Sequence, residues 1–320
     1  MTLKDISDEK IAWFIPVAKK ERNFPINPGT PTEQVLKHLD LLEGTQPTNA
    51  AILLFGVKPH KFMPTAEIKC MHYHGTVVAK PIPSHQIFTG TLFDQVDQAT
   101  DFILAKINRN VPPRDSAPVS KTRYEIPKEV IQEAVVNAVA HRDYTSDASV
   151  QVSVFSDRIE VRNPGSLPPD LTIEDLKIQH SSRPRNHRIA LPLYLAHYIE
   201  KIGYGTLQMI AGCKEAGLPE PEFAQSGGEF GVTIWRDWLT DAVLAGLELS
   251  ERQKKAIRFV KEKGRITNTE YQKVADIQKR EASRDLTELV DKEVFIKKGI
   301  HGKGVHYILG KSARKWSEGS

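Results

Sequence analysis

Apolar residues recur at helical spacing over residues 8–21, where Ile11, Phe14, Ile15 and Ala18 fall on one face. Residues 32–42 form a second helical pattern, capped by Thr30 or Thr32 and closed near Gly44. A third, over 92–107, carries Phe93, Val96, Ala99, Phe102, Ile103 and Ile107 on its apolar side. Between them, Ala50-Ala-Ile-Leu-Leu-Phe55 is an unbroken apolar run ended by Gly56, which predicts a buried strand. Residues 66–74 alternate and predict another. The Pro-rich stretch Val111 to Pro118 reads as a linker that closes a mixed α/β region over 1–115.

Residues 122–240 form the next unit. Pro127 suits the first turn of a helix whose core stripe is Val130, Ile131, Ala134, Val135, Ala138 and Val139. Val150 to Phe155 alternates as a strand, and Arg158 to Arg162 is its hairpin partner across Ser156-Asp157. Asn163-Pro-Gly165 breaks that pattern and a polar stretch follows as far as Arg188. Helices over 189–202, ended by Gly203, and over 206–216, then a strand over 230–235, complete the unit.

The last unit, 249–310, holds three helical patterns, the first capped by Ser250, the second by Thr267 and the third running over 279–290. Two short strands follow around Gly299–Gly304. Three helices and a β-hairpin are the layout of a winged helix-turn-helix.

With 320 residues, 40% hydrophobic and 26% charged, the chain has the composition of a globular protein with room for two or three domains. Two cysteines, Cys70 and Cys213, imply no disulfide framework, and a reducing cytoplasm fits them best. No apolar run approaches bilayer-spanning length, so no membrane partner is expected. The net charge of +4 is uneven: residues 249–320 hold 18 Lys+Arg against 10 Asp+Glu, leaving 26 against 30 in residues 1–248. A basic end on a mildly acidic body suggests a nucleic-acid-facing module, although a solvated Lys-rich surface gives the same count.

The chemistry-bearing stretch is Glu133-Ala-Val-Val-Asn137-Ala-Val-Ala-His141-Arg-Asp-Tyr144. The four-residue spacing stacks Glu133 and Asn137 on one helix face. A carboxylate can take a proton from water, and an amide oxygen can ligate a hard cation such as Mg²⁺. Gly203 and Gly205 flank the start of the helix at Thr206, where glycine lets backbone N–H groups approach phosphate. A helix C-cap explains Gly203 equally well and Gly205 less well.

Taken in order, Glu133-x-x-x-Asn137, Asn163-Pro-Gly165-x-Leu-Pro168 and Gly203-Tyr-Gly205-Thr resemble the motifs of GHKL-type ATP-binding modules. The branch they resemble is that of the Schlafen/AlbA-associated transcriptional regulators, also labelled RecG-related. The resemblance implies a Bergerat-type α/β sandwich preceded by the mixed α/β region and followed by the winged helix. It implies Glu133 as general base, Asn137 as the Mg²⁺ ligand, and ATP as cofactor. It places Asn163 and Gly165 at the adenine and Gly203, Gly205 and Thr206 at the phosphates. His141, Arg142 and Asp143 end the Glu133 helix and either shape the phosphate end of the site or form a polar C-terminal cap. Arg183 and Arg185, in the polar stretch where the wider class has its lid, either screen phosphate charge or are solvated loop residues. The wider class has Asp where Asn163 stands, so the adenine contact here is uncharged. The AlbA-type N-terminal domain of the branch has no counterpart in these residues.

In the tail, Lys279, Arg280, Ser283 and Arg284 lie on the expected recognition helix, with Lys298 and Lys303 on the wing as DNA contacts. Gly310-Lys311-Ser312 echoes the end of a Walker A loop, but Val305 stands where its first glycine is needed, so a helicase motor is unsupported. The reading is a cytoplasmic, ATP-binding, DNA-binding transcriptional regulator, with homodimerisation left open. The alternatives are a slow Mg-dependent ATPase and an adaptor with a degenerate nucleotide pocket.

Overall fold

The computed structural model describes residues 1–107, 109–110, 123–180, 183–199, 204–216, 218–236, 249–292, 294–299 and 304–310. Val111–Pro118, Gly203 and Lys303 lie outside the described residues. The chain divides into two compact units, Met1–Asp237 and Trp238–Ser320.

The first unit is an α/β sandwich. Its sheet comprises β1 (Ile68–His72), β2 (Ser84–Phe88), β3 (Val150–Val154), β4 (Arg158–Pro164), β5 (Glu222–Ser226) and β6 (Glu229–Trp235). Their order is β2-β1-β3-β4-β6-β5, antiparallel throughout except for the parallel β1–β3 pair. Strands from both sides of residues 111–122 therefore share one sheet. One sheet face is apolar, with Ile68, Cys70, Val152, Val161, Val232 and Ile234 buried. The opposite positions, among them Lys69, Gln151, Glu160 and Arg162, are partly or fully exposed, the alternation a one-sided sheet requires.

The helices of this unit are α1 (Asp8–Arg22), α2 (Thr32–His38), α3 (Asn49–Phe55), α4 (Leu92–Leu104), α5 (Lys128–His141), α6 (His187–Leu195) and α7 (Gly205–Glu215). The run Ala50–Phe55 is helical, not a strand. Thr48 caps it by accepting from Ala51 N at 3.2 Å, and all six residues are buried. An element enclosed on every side is apolar on every side, so its periodicity carries no information. Helix α2 starts after Pro31 and ends four residues earlier than expected. There Asp40 adopts φ 56° and Leu41 N reaches back to Leu36 O at 2.8 Å. Helix α6 likewise stops at Leu195 instead of 202. His197 takes φ 65°, and Tyr198 N bonds Leu193 O at 2.9 Å, a Schellman ending built on a histidine. Strands β2 and β5 were not legible beforehand; both are edge strands, and β5 buries only Phe223.

The second unit packs α8 (Glu251–Lys263), α9 (Asn268–Ala275) and α10 (Lys279–Asp291) with a hairpin of β7 (Phe295–Lys298) and β8 (His306–Leu309). Capping boxes open α8 at Ser250 and α9 at Thr267. An Ile266–Tyr307 bridge ties the segment before α9 to β8. The core holds Ile257, Val260, Tyr271, Leu286, Leu289 and Phe295. Asp285, 1% exposed, takes a hydrogen bond from Tyr271 Oη at 3.1 Å and an ion pair from Arg252 at 2.5 Å. Among the described residues, no helix is long and apolar enough to cross a membrane.

Candidate functional site

Helix α5 packs its apolar stripe against α4, α7 and β4. That packing leaves Glu133 and Asn137 one turn apart on the side that faces α7. Asn137 Nδ2 donates to Glu133 Oε1 at 2.9 Å, and Glu133 is 6% exposed. Spending the amide N–H on the carboxylate leaves the Asn137 carbonyl oxygen as its remaining acceptor.

Helix α7 approaches α5 through two glycines seven residues apart, hence on one face. A β-carbon at Gly205 would fall 1.7 Å from Glu133 Oε1, and one at Gly212 would fall 2.7 Å from Val130 Cγ2. The first turn of α7 therefore lies directly against the Glu133 carboxylate. In that turn the Thr206 hydroxyl is buried with no hydrogen-bond partner among the described residues, and Thr206 lines the same cavity as Glu133. A buried hydroxyl without a partner is costly and marks a place where a polar ligand or water is accommodated.

The end of β4 closes the other side. Strand pairing continues through Pro164, whose carbonyl accepts from Asp143 N at 2.7 Å. Gly165 follows with φ 132°, its N–H donating to Gly228 O at 2.8 Å. A β-carbon there would meet His141 O at 3.2 Å, so glycine is required both by conformation and by space. Asn163 is 4% exposed, and its Nδ2 donates to Pro164 O at 3.2 Å.

The polar stretch after β4 crosses the end of α5. Asn186 Nδ2 donates to Ala140 O at 2.9 Å and to Arg142 O at 2.8 Å, satisfying carbonyls that the helix end leaves open. Arg185 pairs with Asp143 at 3.4 Å and donates to Ser166 O at 3.1 Å. Arg183 pairs with Asp170 on the surface and also lines the cavity. Burial pushes the His141 imidazole below its ordinary pKa, and Arg185 and His180 add to that shift. The ring is thus neutral near pH 7 and able to donate from one nitrogen and accept at the other.

These elements enclose a cavity of about 140 Å³. Glu133, Asn137, His141 and Thr206 make it polar at one end; Val161, Leu176, Met209, Phe223, Phe230 and Val232 supply apolar walls. Sequence-expected Glu133, Asn137, His141, Asn163, Gly165, Gly205 and Thr206 all line it, and Arg185 sits just outside. Gly203 lies outside the described residues.

Arg142, expected at the phosphate end of the site or as a polar helix cap, does not line the cavity. It is 1% exposed. Its Nη2 is held by Thr65 O at 3.0 Å, Ser146 O at 3.1 Å and Ala148 O at 2.8 Å, and its guanidinium stacks over Tyr144 at 4.7 Å. It ties the end of α5 to the segment before β1. Gly212, unmarked in sequence, sets the α5–α7 spacing.

In the second unit, Lys279, Arg280, Ser283 and Arg284 are exposed on α10, and Lys298 is exposed at the end of β7. Ser283 is already engaged: its hydroxyl donates to Lys279 O at 2.9 Å and accepts from Asn268 Nδ2 at 3.0 Å. Lys303 lies outside the described residues. Cys70 is a packed thiol that burial pushes up to about 12, and among the described residues no group of three His, Cys, Asp or Glu gathers as a metal centre.

Residues 147–234 match the family described as "Putative ATP-dependent DNA helicase recG C-terminal". The match supports an ATPase-type module and covers β3 to β6; Glu133 and Asn137 precede it. No curated protein matches the chain. Among solved structures, it is similar to the DIP2311 protein of Corynebacterium diphtheriae, with 18% identity and a TM-score of 0.59. That likeness extends over 98% of this chain and 63% of the other, and it concerns the fold alone.

Proposed function

We propose that the first unit binds a nucleoside triphosphate with Mg²⁺ in the α5–α7 cavity, and that the second is a winged-helix module for DNA, making the chain a nucleotide-responsive DNA-binding regulator. The observation that carries the reading is the meeting of Glu133 and Asn137, which precede the ATPase-type match, with Thr206, inside that match and with its hydroxyl unpartnered among the described residues, at the glycine-opened start of α7. The residues fit the ligand. The Asn137 carbonyl and the Glu133 carboxylate are hard oxygen donors, and Mg²⁺ bound with a nucleotide needs few protein ligands because phosphate and water supply the rest. Bound there, the cation neutralises phosphate charge. Thr206, the α7 N-terminus and neutral His141 offer hydrogen bonds to phosphate oxygens. The apolar walls and Asn163 take the base. The exposed cations of α10 and β7 meet the DNA backbone.

Slow hydrolysis is the second reading, favoured by the buried position of Glu133 beside Asn137. Calorimetric titration of ATP–Mg²⁺ into the chain and into Asn137→Ala tests the first. Saturable binding weakened at least tenfold in the variant is the expected result. No binding at millimolar ATP overturns the nucleotide reading and leaves an adaptor with a degenerate pocket. Glu133→Gln separates the two readings: turnover lost with binding kept identifies an ATPase, while absence of turnover in both chains leaves a switch.

A further inference from the structure

We infer that Asp285 is a positioning residue for the DNA contact: clamped by Arg252 and Tyr271, it holds α10 in the one attitude that carries Arg280 and Arg284 to the duplex. The inference rests on the DNA reading of the second unit. Helix α10 packs through Ala282, Leu286 and Leu289, all buried, while Arg280 and Arg284 stand exposed on the other side. Asp285 lies within the buried stripe and is 1% exposed, a carboxylate at a place where packing asks only for an apolar side chain. Both of its oxygens are engaged, by groups from the other two helices. Arg252, in the first turn of α8, donates from Nη2 to Oδ1 at 3.0 Å, and its Nε lies 2.5 Å from Oδ2. Tyr271, on α9, donates from Oη to Oδ2 at 3.1 Å.

Apolar contacts are non-directional, so a core of leucines alone tolerates a helix that turns or slides slightly. A buried carboxylate does not. Turning α10 about its axis draws Asp285 off the Arg252 fork and the Tyr271 hydroxyl together and leaves a charge without partners in the core. Arg252 adds a second hold on the same flank, reaching Glu281 at 3.4 Å, one turn nearer the start of α10. The Asn268–Ser283 bond also joins α9 to α10, but it is exposed and uncharged, so it resists the same turn weakly. Stability does not require the clamp, because apolar side chains often replace a buried ion pair without loss of stability. What the clamp supplies is direction, and α10 is the helix whose direction decides where two exposed guanidiniums point.

The test compares the full unsubstituted chain with two variants, by urea unfolding and by fluorescence anisotropy with a labelled duplex at several salt concentrations. Binding is measured where circular dichroism shows each chain folded. The triple variant Arg252→Met, Tyr271→Phe, Asp285→Leu removes every polar member of the clamp and nearly keeps the volume. It is expected to unfold at a urea midpoint no lower than that of the unsubstituted chain. It is nevertheless expected to bind the duplex more weakly by about tenfold or more, with a flatter dependence of log affinity on log salt, because the two arginines no longer meet their phosphates together. Arg252→Lys keeps the charge, gives up the fork, and is expected to bind several-fold more weakly than the unsubstituted chain. Binding by the folded triple variant within about twofold of the unsubstituted chain, whatever its midpoint, makes the clamp merely structural. That result overturns the inference and leaves the DNA reading standing. Full binding by Arg252→Lys beside weak binding by the triple variant does the same, since Arg252 is then itself a phosphate contact. If the triple variant does not fold, Arg252→Lys decides alone. An unsubstituted chain that binds no duplex overturns both.

Discussion

Gly205 and Glu133 lie so close that a β-carbon on the glycine would fall 1.7 Å from the Glu133 Oε1 atom. The same helix presents Gly212 to Val130 Cγ2 at 2.7 Å. The two contacts differ in what can yield. The Glu133 carboxylate ends an unbranched side chain and is held by Asn137, so it can yield by rotation at the loss of that bond, whereas Val130 is β-branched, stiff at χ1 and 2% exposed. Gly205→Ala is therefore expected to swing the carboxylate off Asn137, at a cost of about 1.5–3 kcal/mol for the hydrogen bond to a buried charge that it breaks. Its cost also appears in nucleotide binding or turnover, reduced tenfold or more. Gly212→Ala is expected to destabilise by about 1–3 kcal/mol through overpacking of the α5–α7 interface. Nucleotide titration into both folded variants checks this, and equal losses of binding in the two would contradict the distinction.

Asn186 holds the end of α5 by donating to two main-chain carbonyls, Ala140 O and Arg142 O. Asn186→Ala leaves both without that partner and is expected to cost about 1–2 kcal/mol. Asn186→Asp is expected to cost more, since an acceptor-only carboxylate then faces two carbonyl oxygens. Denaturant midpoints of the two variants give the order; Asp tolerated better than Ala would refute the assignment of Asn186 as a donor.

How much of this was legible beforehand depended on whether a residue's constraint is local. The one-turn spacing of Glu133 and Asn137 is a property of any helix, so their pairing follows from sequence. Capping by Ser250 and Thr267 is equally local and appears where it was expected. Ala50–Phe55 misleads because complete burial erases the period that separates helix from strand. The endings of α2 and α6 hide for a different reason: Asp40 and His197 adopt left-handed conformations that glycine usually supplies. Gly212 and Arg142 are tertiary facts. Nothing near them in sequence states that Val130 or the carbonyls of Thr65 and Ala148 will be their neighbours.

Burial holds the His141 imidazole below its ordinary pKa, with Arg185 and His180 opposing its protonation in the same sense. The sign follows from linkage. A histidine that protonates less readily when folded contributes stability that is present above its unfolded pKa of about 6.5 and is lost as pH falls below it. The thermal midpoint is expected to drop between pH 6.5 and 5 more steeply in the unsubstituted chain than in His141→Gln. His72, also lowered by burial, keeps part of the slope in the variant. Parallel curves would mean that His141 is not the titrating group. Phosphate near the ring reverses the bias by favouring the imidazolium, so nucleotide binding at pH 6 is expected to take up protons, read as a buffer-dependent heat in calorimetry.

The exposed face of α10 separates residues that can reach a ligand from one that is already engaged. Arg280 and Arg284 lie one turn apart and are both exposed, whereas the Ser283 hydroxyl is bound to Lys279 O and Asn268. If α10 meets DNA, each arginine that neutralises a phosphate releases counterions, and its loss lowers the slope of log affinity against log salt by about 1. Arg280→Ala and Arg284→Ala are each expected to weaken binding to duplex DNA and to flatten that slope, additively in the double variant. Ser283→Ala is expected to leave both unchanged within about twofold, because a hydroxyl satisfied inside the protein contributes little to a new partner. Lys298, on β7, is expected to behave as the arginines do if the hairpin lies along the backbone. Fluorescence anisotropy with a labelled duplex at several salt concentrations measures all four. Slopes unchanged by both arginine variants would place the DNA contact elsewhere or remove it, and would favour a protein partner for this unit.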